Sequence, residues 1–186
     1  MARYVALLRG VNVGGVRISM SDLRDAVESC GHAGVATYVQ SGNVVLTAAG
    51  RRSAPRLAAD IRAAIAEHAG IDPPVIVLSA SEWDGIVAVN PYPEETDGTK
   101  LHAVIAQQPF STEQREAAEL VCAAVRAAGS SDDLTVVGQT MYLHLPEGMG
   151  RSKLAEKLAR SKSGGGQDVT ARNWRTVLAL QGMLRG

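Results

Sequence analysis

Aromatic residues are few in this chain, and it has no excess of charge of either sign. It has one Phe, two Trp and four Tyr, so a single-stranded nucleic acid would find few rings on which to stack its bases. Its 19 Lys and Arg residues balance 19 Asp and Glu residues, whereas proteins that bind nucleic acids or membrane surfaces usually carry a basic excess. The composition therefore argues against both of these partners, although it leaves room for a local basic patch.

Cysteine is also scarce. Cys30 and Cys122 are far apart in sequence and have apolar neighbours at helical spacing, so we interpret both as small buried residues. No cluster of Cys and His has the spacing of metal ligands. His102 and His144 are expected on adjacent strands, but no third ligand accompanies them, and Glu94 and Glu95 are expected to be solvated. We predict no metal and no cofactor.

Long hydrophobic runs are absent too. No stretch approaches the ~18 apolar residues of a membrane span, and the apolar run near the N-terminus is too short for a signal peptide. The sequence therefore predicts a cytoplasmic protein without a membrane segment.

What the sequence does contain is a regular alternation of strand and helix patterns. Residues 1–79 predict the order strand, helix, strand, strand, helix, strand. A short helix and a loop rich in turn formers follow over residues 80–98. Residues 99–186 predict strand, helix, strand, strand, helix, and then an extra C-terminal helix capped by Thr170 in place of a last strand; Leu120 is expected on the inner side of the first of these helices. We predict an α+β fold of two tandem ferredoxin-like (split βαβ) subdomains, 1–79 and 99–186.

The predicted strands Tyr4–Arg9 and Asn43–Thr47 are apolar on both sides. This pattern indicates that both faces of the sheet are covered, whereas a lone ferredoxin-like unit leaves one face open. We therefore expect that the two halves pack together or that the protein forms a homodimer through a sheet face.

The first candidate site segment follows the first strand. Arg9 and Asn12 place a cation and an amide beside Gly14 and Gly15. Glycines loosen the backbone, and unpaired N–H groups in such a loop can point at a phosphate or carboxylate. The segment is neither a GxGxxG nor a Walker motif, and a structural turn is the alternative.

The second candidate segment surrounds a predicted two-residue hairpin turn at Ser41 and Gly42. Gln40 and Asn43 flank this turn. Gln40, Ser41 and Asn43 could bind a ligand, or they could serve only to fix the turn.

The third candidate segment joins a strand, a glycine-rich loop and the start of a helix at Gly150, Arg151, Ser152 and Lys153. The positive end of the helix dipole, the free N–H groups and the two cations would together favour an anion. Helix capping and solubility are the alternative explanation.

The fourth candidate segment contains Arg172 and Asn173. If Thr170 and Asn173 cap the last helix, Arg172 lies in its first turn, where a cation is slightly unfavourable. That conflict indicates a role beyond folding, and a salt bridge to a nearby carboxylate is the alternative.

Five segments together resemble the family called domain of unknown function 1697. They are Tyr4–Gly15, Met20–Arg24, Thr37–Val45, Gly150–Leu154 and Thr170–Val177. The resemblance extends from end to end and implies an α+β fold of ferredoxin-like character. It implies no substrate, cofactor or catalytic residue. The main departure is the glycine-rich stretch over residues 161–168, which predicts a loose link to the last helix.

These polar segments lead to one functional hypothesis. If they converge, they form a pocket for a small phosphate- or carboxylate-bearing ligand in a cleft between the subdomains. No nucleophile or general base accompanies them, so the sequence leaves open whether the protein is an enzyme. A structural or protein-interaction module without a small-molecule site is one alternative, and an RNA-binding module is another.

Overall fold

The computed structural model describes residues 2–160 and 168–186. Apart from Asp168, the predicted loose link over residues 161–168 lies outside the described residues. Within the described part of the chain, no helix is both long enough and apolar enough to cross a membrane.

The fold is α+β, with two four-stranded antiparallel sheets. The strands are Arg3–Leu8 (β1), Ala33–Tyr38 (β2), Asn43–Thr47 (β3), Val75–Ser79 (β4), Leu101–Ala106 (β5), Asp133–Val137 (β6), Thr140–His144 (β7) and Val169–Asn173 (β8). The helices are Met20–Ser29 (α1), Ala54–Ala69 (α2), Ala80–Ala88 (α3), Thr112–Ala127 (α4), Lys153–Arg160 (α5) and Trp174–Arg185 (α6).

The chain divides into two compact units, each containing one sheet. The first unit consists of Met1–Gly85 together with Ala179–Gly186, and the second consists of Ile86–Leu178. The boundaries between the units therefore fall within α3 and α6.

The sheet of the first unit has the strand order β2-β3-β1-β4. Alternate residues of each strand point to opposite faces, and one face, which includes Leu8, Val44 and Leu46, belongs to the same hydrophobic core as α1 and α2. The two helices begin where the sequence indicates, because Ser19 and Ser53 each accept a hydrogen bond from a first-turn backbone N–H.

The sheet of the second unit has the order β6-β7-β5-β8. Its helix-covered face includes Val136, Met141 and Leu143, which share a core with residues of α4 and α5. The predicted capping box at the start of α4 is present, since Ser111 and Gln114 exchange side-chain and backbone hydrogen bonds.

The opposite face of each sheet is buried as well. In the first sheet, Val5 and Leu7 are fully buried although they point away from α1 and α2. In the second sheet, Ala103 and Tyr142 are equally buried on the face away from α4. The prediction that both sheet faces are covered is confirmed.

The segment around Arg172 requires a correction. Residues Val169–Asn173 form strand β8 rather than the start of the last helix, and Thr170 lies opposite Ile105 of β5. The free edge of β5 offers these residues a ladder of backbone hydrogen bonds, and this tertiary pairing overrides the local capping signal of Thr170. The second sheet therefore has the fourth strand that the sequence pattern lacked.

The turn between β2 and β3 is also longer than predicted. Tyr38 lies opposite Asn43, so the loop comprises the four residues 39–42 instead of two. Val39 in this loop adopts a positive φ of 48°, which is uncommon for a β-branched residue.

Candidate functional site

Asn12 is the best-connected residue of the first candidate segment. Its side-chain Oδ1 accepts from the Ile18 N–H at 3.1 Å, and its Nδ2 donates to the carbonyls of Ile18 at 3.1 Å and Gln40 at 2.9 Å. Its backbone N–H donates to the Val16 carbonyl at 2.7 Å. The amide group therefore ties the loop after β1 to the loop after β2, and these bonds support the structural alternative for Asn12.

Asn43 and Ser41 likewise bond to one another within their own turn. The Asn43 side chain is fully buried, and its Nδ2 donates to the Tyr38 carbonyl at 3.0 Å and to Ser41 Oγ at 2.8 Å. These bonds close the β2–β3 loop. Gln40 is exposed, and its backbone carbonyl accepts from Asn12.

Arg9 and the glycines that follow lie on the surface. Gly14 and Gly15 have φ values of 62° and 100°, with nothing within 4 Å of where a Cβ would sit, so they form an open turn. Arg9 borders a shallow depression of about 440 Å³, which is lined by Arg9, Gly10, Val16, Ile71, Asp72, Pro73 and Pro74. The Asp72 carboxylate there is engaged by Arg62, whose hydrogen bond lowers the pKa of Asp72.

The third candidate segment is already occupied by a carboxylate of the chain itself. Asp132 is buried, and its Oδ2 accepts from Ser152 Oγ at 2.8 Å and from the Leu154 N–H at 3.2 Å. Ser152 Oγ in turn accepts from the Ala155 N–H at 2.9 Å. The start of α5 thus attracts an anion as the sequence indicates, and that anion is Asp132.

Cations lie near the start of α5, where Asp132 is bonded. A groove of about 590 Å³ is lined by Val125, Ala128, Gly129, Ser130, Ser131, Asp132, Glu147, Arg151, Lys153 and Lys157; we call it the lysine groove. A smaller depression of about 410 Å³ shares Arg151 and Lys153. Two of the four lysines in the chain therefore line one groove.

Two cations of the lysine groove form exposed ion pairs with glutamates. Arg151 Nη1 lies 4.0 Å from a Glu147 oxygen, and its side chain is 80 % exposed. Lys153 Nζ lies 3.1 Å from a Glu156 oxygen, and its side chain is 73 % exposed; this hydrogen bond lowers the pKa of Glu156. Exposed pairs of this kind contribute little to stability, so the cations can exchange these carboxylates for a ligand at small cost.

Arg172 lies buried on β8 instead of in a helical turn. Its Nη1 donates to Thr170 Oγ1 at 2.7 Å and to the Ala171 carbonyl at 2.8 Å. Burial lowers its pKa to about 10. The predicted conflict between Arg172 and the helix dipole does not arise.

Asn173 has a capping role at the start of α6. Its Oδ1 accepts from the Thr176 N–H at 2.9 Å, and the N–H of Trp174 donates to the Gly98 carbonyl at 3.0 Å. The first turn of α6 is therefore supplied with acceptors from within the second unit.

A cluster around His144 was not predicted. His144 Nε2 lies 2.9 Å from Glu95 Oε2, and its ring stacks on Tyr92 with the centroids 5.3 Å apart. The hydrogen bond to His144 lowers the pKa of Glu95, while burial raises that of Tyr92 to about 12. The prediction that Glu95 is solvated was wrong, because the loop before β5 folds back onto β7.

The two histidines on adjacent strands do not face each other. Leu101 lies opposite His144, and His102 lies opposite Leu143, so the one-residue offset sends the two rings to opposite faces. Among the described residues, no group of three or more His, Cys, Asp or Glu side chains could hold a metal ion.

The candidate residues thus fall into two sets. Arg9, Asn12, Gly14, Gly15, Gln40, Ser41 and Asn43 belong to the first unit, and Gly150, Arg151, Ser152, Lys153, Arg172 and Asn173 belong to the second. The prediction that both sets share one cleft stays a prediction. Sequence reasoning missed Asp132 and Lys157, although Lys157 stands one helical turn after Lys153 and could have been found from that spacing.

Comparison with known proteins gives a family but no activity. Residues 1–142 match the model of a family described as a protein of unknown function (DUF1697). A solved structure, that of the conserved bacterial protein SP0830 from Streptococcus pneumoniae, is similar with a TM-score of 0.74 and 22 % sequence identity, covering 100 % of this chain and 99 % of that one. At this identity the likeness concerns the fold alone. None of the functionally curated proteins matches the chain.

Proposed function

The chain belongs to the DUF1697 family of unknown function, and from its own residues we propose that it binds a small anionic ligand in the lysine groove of the second unit. The ligand carries phosphate or carboxylate groups. The observation that supports this most directly is the placement of Arg151, Lys153 and Lys157 around one groove of about 590 Å³.

The spacing of these cations suits an anion with more than one charged oxygen. Lys153 and Lys157 are one helical turn apart on α5 and therefore lie on the same face of the helix. The guanidinium of Arg151 can engage phosphate or carboxylate through two parallel hydrogen bonds. The hydroxyls of Ser130 and Ser131, which also line the groove, add neutral hydrogen-bonding groups.

Asp132 does not oppose this binding. Its carboxylate is buried and accepts hydrogen bonds from Ser152 and from the backbone of Leu154. A carboxylate that is bonded in this way is partly neutralised by the helix dipole. An incoming anion therefore meets the exposed cations at the rim of the groove.

The groove supports binding better than catalysis. Its described lining contains no histidine or cysteine, and its buried carboxylate is committed to the helix start. Its other carboxylate, Glu147, is exposed and lies 4.0 Å from Arg151, so the described lining offers no nucleophile paired with a general base.

We also propose the ferredoxin-like arrangement for each unit and a cytoplasmic location for the protein. The strand orders β2-β3-β1-β4 and β6-β7-β5-β8 support the former, since both place the first and third strands of a split βαβ pattern at the centre of a sheet. The free thiols of Cys30 and Cys122 support the latter, since the cytoplasm keeps thiols reduced.

Titration with inorganic pyrophosphate, followed by isothermal calorimetry, tests the proposed site. The wild-type protein is expected to bind it, and K153Q/K157Q to bind it about tenfold or more weakly, because each charge-assisted hydrogen bond contributes about 1.5–3 kcal/mol. The control is R24Q/R51Q, which removes the same charge from exposed positions of the first unit. Equal affinity in K153Q/K157Q and the control would refute the proposal, as would absence of binding to pyrophosphate, phosphate and citrate alike.

A further inference from the structure

Three valines lie exposed on neighbouring loops of the first unit. The exposed fractions are 64 % for Val13, 40 % for Val16 and 53 % for Val39. Val13 and Val16 face each other across a β-bridge, and Val39 precedes Gln40, whose carbonyl is bonded to the side chain of Asn12. We call these three residues the valine surface.

Hydrogen bonds of Asn12 join the two loops that carry the valine surface. Asn12, next to Val13, fixes its own loop through Ile18 and ties it to the β2–β3 loop. Val39 is held at a φ of 48° with its side chain in solvent. A β-branched residue in this region costs conformational energy, and such outliers cluster at sites where a surface is organised for function.

Two arginines border the valine surface. Arg17 follows Val16 directly and is exposed, and Arg9 lines the same depression as Val16. A partner for this surface therefore combines an apolar side chain with acidic groups.

The outer side of α4 has this combination. Leu120 is 71 % exposed, because Ala118, Cys122 and Val125 form the buried stripe of the helix. At 100° per residue, Glu113 and Glu116 lie on the same outward side as Leu120, and both are exposed. We call these three residues the α4 outer face. None of them lines the lysine groove.

We propose that the valine surface of one copy of this chain binds the α4 outer face of a second copy. Leu120 packs against the three valines, while Glu113 and Glu116 pair with Arg9 and Arg17. Exposed apolar side chains with a charged border are typical of protein–protein contact sites. The arginines that border the valine surface and the glutamates of the α4 outer face are opposite in sign, which selects this partner over a second valine surface.

The contact is small, and we expect it to be weak and reversible. Contacts below about 1,200 Å² of buried area are typical of transient complexes. Self-association is therefore expected at protein concentrations on the order of 100 µM, which corresponds to about 5.5 kcal/mol of binding free energy per contact.

Sedimentation velocity of the full chain over a concentration series tests the proposal. The wild type is expected to associate, and V13E and L120E each to weaken association by about tenfold or more, because each buries a charge in the contact. L178E is the control, since Leu178 is 46 % exposed on α6 outside both surfaces. Circular dichroism establishes that each variant is folded.

A charge exchange makes the test specific. R9E/R17E and E113R/E116R are each expected to be monomeric, whereas an equimolar mixture of the two associates, because the exchanged charges are again complementary. A monomeric wild type, unchanged association in L120E, or a mixture that stays monomeric would each overturn the proposal.

Discussion

The two glycine-rich loops that lead towards α1 and α5 look alike in sequence and are completed differently in the structure. In the loop before α1, the amide of Asn12 bonds to backbone groups of its own loop and of the β2–β3 loop. In the loop before α5, Ser152 and the backbone of Leu154 donate to the carboxylate of Asp132. Both loops therefore use the chain's own polar atoms where the sequence predicts a ligand.

The two loops differ in the side chains that stay exposed around them. Around Asn12 the exposed side chains are largely valines, with arginines at the border. Around Asp132 they are Arg151, Lys153 and Lys157. A loop composition that is typical of anion binding thus leaves an apolar surface in one unit and a cationic groove in the other.

The largest expected effect comes from Gly42, where the first loop approaches the β2–β3 turn. Its φ is 70°, and a Cβ there would lie 2.6 Å from Val11 Cγ2 and 2.7 Å from Leu8 Cβ. Both neighbours are buried and cannot move away freely. We expect G42A to lower the free energy of unfolding by about 3 kcal/mol, from the left-handed backbone and the steric overlap together. Urea unfolding measures this change.

Gly14 provides the matched control. It has a similar φ of 62°, but nothing lies within 4 Å of a Cβ there. We expect G14A to cost about 1 kcal/mol, from the backbone conformation alone. If G42A and G14A lower the free energy of unfolding equally, the close contacts of Gly42 with Val11 and Leu8 do not contribute to stability.

The second effect in size concerns Asp132. D132A removes the acceptor of two buried hydrogen bonds at the start of α5. We expect a loss of about 2 kcal/mol in the free energy of unfolding, as for other helix caps with buried donors. The neighbouring exposed Ser131 provides the control S131A, which should unfold like the wild type.

D132A also tests whether Asp132 takes the place of an external anion at the start of α5. Without the carboxylate, Ser152 Oγ and the Leu154 N–H lose their acceptor, and an external anion can take its place. Sulfate is therefore expected to stabilise D132A more than the wild type in thermal unfolding. An equal response of D132A and wild type to sulfate would show that Asp132 does not stand in for an anion.

Most of the elements could be predicted from the sequence because their signals are local. Strand β3 has the predicted bounds, and the Ser111 capping box starts α4 as predicted. Strand β8 could not be predicted, since its pairing with β5 is a tertiary interaction that no local pattern records. Leu120 was placed on the wrong side of α4, because alanines surround that helix and blur its apolar stripe.

The candidate site was predictable only in part. The cations Arg151 and Lys153 could be found, since they follow a glycine-rich loop at a helix start. Asp132 could not, because it lies 20 residues before Ser152 in the chain. The same limit applies to His144 and Glu95, which only the folded loop brings together.

The smallest expected effect compares one buried histidine in each unit. His32 and His102 are both buried, and burial lowers the pKa of each below its ordinary value of 6.5. At His32 the Arg52 cation lowers the pKa further, while Asp60 opposes this change. His32 Nδ1 also accepts a hydrogen bond from the Ala49 N–H at 3.3 Å, and protonation would remove this acceptor.

Because folding lowers the pKa of both rings, the unfolded chain binds protons more readily as the pH falls below 6.5, and stability is lost in that direction. Carboxylates with a lowered pKa, such as Glu95, change the stability only near and below their ordinary pKa of 4.5. Their contribution is therefore separate from that of the histidines. Between about pH 7.5 and about pH 5.5, the urea midpoint of the wild type should fall more than that of H32N/H102Q. In H32N the amide oxygen provides an acceptor near the Ala49 N–H, and in H102Q the side chain fills most of the buried volume of the ring. Both variants should therefore keep the packing of the core, so that the comparison reports on protonation. Each single variant is expected to remove part of the pH dependence. An equal fall of the urea midpoint in the wild type and the double variant would show that folding does not lower the pKa of either histidine.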